Sequence, residues 1–135
     1  MRSVLESYAA RLATIRHLES ELTPLEEKLL AYETSFGRGE LEALPKINTE
    51  FHDLLYGLSR SPRLIKMIND LRDQIYRFRL MTLKIDGMAR LSNENHRRML
   101  KAIKVRDADG VEKLVREHIL RGQDVVLNQF DIQNN

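Results

Sequence analysis

The sequence predicts an all-α protein, an antiparallel helical bundle. Three observations carry this: apolar residues recur close to every 3.6 positions along almost the whole chain, only six Gly and three Pro occur in 135 residues, and no alternating strand pattern is found. The periodicity resolves six helices. The first runs from about Arg2 to Ser20, with Leu5, Tyr8, Ala9, Leu12 and Ile15 as its inward face. Thr23-Pro24 reads as the cap and first position of a second helix that buries Leu25, Leu29, Tyr32 and Phe36 and ends at Gly37 and Gly39.

The third helix carries Leu44, Ile47, Phe51, Leu55 and Leu58, with Pro45 in its first turn, and stops before Ser61-Pro62. Ser61 caps a fourth helix bearing Leu64, Ile65, Ile68, Leu71, Ile75 and Phe78 as one continuous stripe. A loop at Asp86-Gly87 leads to Ser92, read as the cap of a short fifth helix with Met99, Leu100 and Ile103 inward. Asp107 caps the sixth, which presents Val111, Leu114, Val115, Ile119, Val125 and Val126. Short connections favour antiparallel neighbours.

Composition narrows the function. The chain is one domain's length, 42% hydrophobic and 31% charged. The 22 Lys+Arg nearly balance the 20 Asp+Glu, a net charge of +2 that leaves no strong footprint for nucleic acid. Without cysteine there is no disulfide framework, thiolate metal site or Cys nucleophile. With no 18-residue apolar run and no signal-peptide pattern, the expectation is a cytoplasmic protein with no membrane partner.

Four histidines remain. His17 has polar neighbours at helical spacing and is expected on the surface. His52, His96 and His118 lie on or beside the inward faces of three different helices, and Asn48 stands four residues before His52. An i, i+4 pair projects two donors from one helix face, about 6 Å apart along the axis. A histidine from each of two other helices would complete a cluster of three nitrogens and one oxygen, a donor set suited to first-row divalent ions. The plainer alternative is three core-edge histidines, each bonded to a backbone carbonyl.

Other motifs are weaker. His52-Asp53 matches the adjacent pair of HD-type phosphohydrolases, but their further ligands are missing. The basic cluster Arg97, Arg98, Lys101, Lys104 and Arg106 reads as a solvated helix face. Neither a phosphate-cradling glycine loop nor a nucleophile elbow occurs.

Taken together, Arg2-Ser-Val-Leu-Glu6 with Ala9-Ala-Arg-Leu-Ala13, Asn48-Thr-Glu-Phe-His52 with Leu55, Glu94-Asn-His96 with Ala102-Ile103 and Arg106-Asp107, and Arg116-Glu-His118 resemble the FCD domain. This is the effector-binding domain of FadR-like regulators in the GntR family. The resemblance spans nearly the whole chain and implies a bundle of six to seven helices, residues 1–135 forming a single domain, and no enzymatic activity. It implies a divalent transition metal, Zn or Ni, held by Asn48, His52, His96 and His118, with a small carboxylate effector completing the coordination. Family members often have Asp where Asn48 stands. The substitution leaves a neutral carbonyl ligand and should weaken metal affinity.

The resemblance further places Arg2, in the first helix, at the effector's carboxylate, with Arg77 and Arg79 as lesser effector-binding candidates. The planar guanidinium suits that task. It implies a homodimer and a winged helix-turn-helix upstream, absent from this chain, so that DNA is expected to be contacted only through that N-terminal domain. The alternative function is a small helical metal-dependent hydrolase using the same histidines with Asp53 as base. A third reading is a purely structural interaction module.

Overall fold

The computed structural model describes the backbone of residues 1–134 and the side chains of residues 1–129. Its α-helices are α1 (Arg2–Arg16), α2 (Thr23–Gly37), α3 (Leu44–Gly57), α4 (Pro62–Asn69), α5 (Arg72–Leu83), α6 (Met88–Lys104) and α7 (Ala108–Asn134). Short 3-10 turns at Glu19–Leu22 and Leu41–Ala43 precede α2 and α3. Among the described residues there is no strand, so the all-α class holds.

The bundle is organised around α1 and α7, which pack along each other most extensively. Ala9, Ala10 and Ala13 make this possible: small side chains let α1 sit close to Val111, Val115 and Ile119 of the same core. Phe51 and Leu55 from α3 and Met99, Leu100 and Ile103 from α6 fill the rest of that core. A second, smaller cluster of Tyr32, Leu44, Leu83 and Ala89 closes one end.

The inward face of α1 departs from the sequence expectation. Ala9 is buried, but Tyr8 and Ile15 are 50% and 55% exposed. The buried positions are small or polar, Glu6, Ser7, Ala10, Ala13 and Thr14, because close approach to α7 excludes large side chains there. The helix also stops at Arg16 and not at Ser20. His17, expected on the surface, is buried and caps it, its Nδ1 donating to the Ala13 carbonyl at 2.8 Å. Arg106 then donates to the Thr14, Ile15 and His17 carbonyls, satisfying the end of the helix from another part of the chain.

Three further boundaries differ. Thr23 gives no side-chain cap, because the preceding 3-10 turn runs straight into α2. The stripe from Leu64 to Phe78 is divided into α4 and α5: the chain breaks at Asp70 and Leu71, after Asn69 and Asp70, two poor helix formers in succession. Ser92 is buried within α6, which begins four residues earlier after Gly87 at φ 82°, a conformation glycine adopts without strain. The caps at Ser61 and Asp107 are as expected: Leu64 N–H donates to Ser61 Oγ at 3.3 Å and Gly110 N–H to Asp107 Oδ1 at 3.0 Å.

Candidate metal centre

Helix α3 projects Asn48 and His52 from one face, α6 brings His96, and α7 brings His118. One ring nitrogen from each histidine lies within 4.8 Å of the others. His52 and His96 meet Nε2 to Nε2 at 3.1 Å, and the three ring centroids are 5.0 to 6.0 Å apart. His96 is fixed by stacking on Phe51, centroids 4.7 Å apart, with Tyr32 edge-on at 5.7 Å.

Two separated Nε2 atoms at hydrogen-bonding distance fit donors that share an ion, since Zn–N bonds of about 2.0–2.1 Å bring neighbouring ligand nitrogens to such spacings. The buried Asn48 side-chain oxygen has no hydrogen-bond partner, an unusual state for an interior carbonyl and one that a cation would relieve. The four residues therefore suit a divalent ion in donor type, and the three imidazoles suit it in placement as well. The alternative of three histidines each bonded to a backbone carbonyl does not match these contacts. That arrangement describes His17.

Burial pushes all three imidazoles toward the neutral form. It is the main cause for His52 and His96, both held well below the ordinary value, and for His118, lowered to about 4. The charge of Arg79 acts in the same direction on each. A neutral imidazole is the ligating form.

Beside the cluster lies a cavity of about 40 Å³ lined by Arg2, Asn48, Arg79, Ser92 and His118, among others. It has room for a few water molecules or one carboxylate group. Arg79 is buried, donates to Thr49 Oγ1 at 3.1 Å and pairs with Glu6 at 3.5 Å. Arg2 also pairs with Glu6. Arg77 is not brought to the site: it is exposed, its Nε 3.4 Å from the Asp73 carbonyl.

Sequence reasoning missed Glu6, Tyr56, Thr49 and Asn95. Glu6 is completely buried and takes contacts from Arg2, Arg79 and Tyr56. Tyr56 Oη is 3.1 Å from His52 Nδ1. Asn95 Nδ2 lies 3.0 Å from His118 Nδ1, an amide N–H directed at the ring nitrogen. The available signal was spacing: Tyr56 follows His52 by four, and Glu6 lies three and four before Ala9 and Ala10.

Asp53, the base required by a hydrolase, is bound instead to Arg72 at 2.9 Å and is not part of the histidine cluster. Two basic residues of α6 meet acids of α2, Arg97 pairing with Glu33 and Lys104 with Glu26 at 2.9 Å.

The chain belongs to the FCD domain family, which it matches over residues 1–121. It is thus the domain type found in GntR-family transcription regulators, as its sequence resemblance indicated. It is 33% identical over 130 residues to the Nta operon transcriptional regulator of Aminobacter aminovorans, covering 94% of this chain and 59% of that protein. It is 28% identical over 119 residues to the uncharacterized HTH-type transcriptional regulator YdhC of Bacillus subtilis, covering 87% of this chain and 53% of the relative. Among solved structures, E. coli McbR/YncC superposes with a TM-score of 0.81 at 25% identity, covering 95% of this chain and 65% of that one. The chain therefore spans a little over half the length of these two curated relatives. Both curated relatives are described as transcriptional regulators. No helix among the described residues is long and apolar enough to cross a membrane.

Proposed function

We propose that this FCD domain senses a small carboxylate through a divalent transition metal, Zn or Ni, and so modulates DNA binding by an N-terminal domain of the regulator. The observation that carries this reading is the convergence of His52, His96 and His118 within 4.8 Å, with Asn48, its oxygen unpartnered, lining the same cavity as His118. Asn48, His52, His96 and His118 would hold the ion. Bound there, it would supply a Lewis-acidic centre with positions left for an oxygen donor.

The chain's own residues do the rest. Arg79 and Arg2 line the cavity on the Asn48 and His118 side, where their guanidinium groups meet a carboxylate in two-pronged fashion. Phe51, Met99 and Ile103, all but fully buried, belong to the apolar core surrounding the cluster and strengthen its charge interactions. An effector shifts the domain only through differential affinity for two helix arrangements. Arg2 and Glu6 on α1, Arg79 on α5 and His118 on α7 would all register its arrival, placing the helix pair α1–α7 in its path. The reading includes a homodimer, since a two-fold protein matches a palindromic operator.

The test is elemental analysis and thermal shift with Zn²⁺ and Ni²⁺, followed by calorimetry of the metal-loaded chain with citrate, lactate and sugar acids. Stabilisation by one of the metals and heat from at least one acid is expected. No metal uptake would remove the metal part; metal uptake with no heat from any acid would remove the carboxylate part.

A further inference from the structure

The environment of His52 on the side away from the cluster settles which of its nitrogens carries the proton. Tyr56 Oη donates to Glu6 Oε1 at 2.7 Å, and this contact uses the one proton a phenol has. Toward His52 Nδ1, 3.1 Å away, the same oxygen can only accept. His52 therefore carries its proton on Nδ1, and its Nε2 lone pair points to His96 Nε2. Glu6 accepts but does not donate, because Arg2 and Arg79 both pair with it. All three members of this chain are buried: Glu6 at 0%, His52 at 2% and Tyr56 at 3% exposure.

We propose that Glu6 and Tyr56 are positioning residues of the metal centre, a buried carboxylate–phenol–imidazole chain that fixes the tautomer and ring orientation of His52. The proposal rests on the metal reading above and deepens it. Partners behind a ligating imidazole orient the ring and raise its basicity, and their loss commonly weakens metal affinity about 10- to 100-fold. Here the same carboxylate also meets Arg2 and Arg79, so one side chain of α1 joins the ligand shell on α3 to the arginines lining the cavity.

The test combines two readouts on the 135-residue chain. Long-range proton–nitrogen NMR of the histidine rings in metal-free protein reports the His52 tautomer directly, and chelator competition with Zn²⁺ reports affinity. The wild type should show the proton on Nδ1. Tyr56→Phe, which keeps the ring and removes one oxygen, should lose that preference and bind Zn²⁺ about 10- to 100-fold more weakly. Glu6→Gln should shift both readouts in the same direction. Should either variant fail to fold, the wild-type tautomer decides alone: a proton on Nε2 overturns the proposal. Undiminished Zn²⁺ affinity in folded Tyr56→Phe overturns it while leaving the metal reading intact. Failure of the wild type to bind Zn²⁺ or Ni²⁺ overturns the metal reading, and this proposal with it.

Discussion

His52 and His96 face each other through their Nε2 atoms at 3.1 Å, although 44 residues separate them in the chain. Two neutral imidazoles present at most one proton to that contact, and the arrangement is held by packing: Phe51 and Tyr32 fix the His96 ring, and Tyr56 fixes that of His52.

Replacing His96 with Ala should abolish the thermal shift produced by Zn²⁺ or Ni²⁺. It also removes a buried ring stacked on Phe51, so the metal-free protein should lose about 2–4 kcal/mol of stability by denaturant unfolding. A metal-dependent shift retained in His96→Ala would show that the ion sits elsewhere.

Asn48→Asp puts a charged oxygen at the proposed ligand position. Zn²⁺ affinity should rise by about tenfold or more, because a carboxylate adds both charge and a second oxygen. Chelator competition measures this directly; equal affinities would mean that residue 48 is not a ligand.

Stability of the metal-free domain should fall in acid over a defined range. The three histidines are held neutral in the fold, His118 down to about 4, while an unfolded chain takes up protons near 6.5. Below pH 6.5 the unfolded state binds more protons, so stability is full above that value and declines as the pH falls toward 4. His118 alone accounts for about 3 kcal/mol across that window. Urea midpoints at pH 7.5, 6 and 4.5 in the presence of a chelator should decrease in that order, and less steeply for His118→Gln.

Arg79→Met should leave the fully buried Glu6 with a single arginine partner and destabilise the fold by about 3 kcal/mol. Arg77→Met, on the exposed face, should change stability by less than about 0.5 kcal/mol. Equal effects of the two on denaturant midpoints would contradict the assigned role of Arg79.

Asp107→Ala removes the acceptor for Gly110 N–H at the start of α7 and should destabilise the domain by about 1 kcal/mol. The site is tight: a Cβ at Gly110 would run into the Asp107 carboxylate, so Gly110→Ala disturbs the same cap.

The convergence of the three histidines was legible because helical periodicity places Asn48 and His52 on one face and because the family likeness joins them to His96 and His118. The second layer was not. Glu6 sits in an α1 face of alanines, where periodicity weighs only large apolar residues and so follows Tyr8 and Ile15, which face outward. Leu71 and Ile75 continue the apolar spacing of Leu64 and Ile68, which hides the break between α4 and α5. His17 looked solvated from its sequence neighbours, yet Arg106, 89 positions away, draws its carbonyl into the core's edge. Such contacts are set by tertiary packing that local patterning does not encode.

The most direct measurement of the central claim is the metal content of the chain after equilibration with excess Zn²⁺ or Ni²⁺ and removal of free ion. One equivalent per chain in the wild type, falling to near zero in a folded His52→Ala, His96→Ala or His118→Ala protein, is the predicted result. A wild type that retains neither metal, or variants that retain a full equivalent, would contradict the assignment of Asn48, His52, His96 and His118 as its ligands.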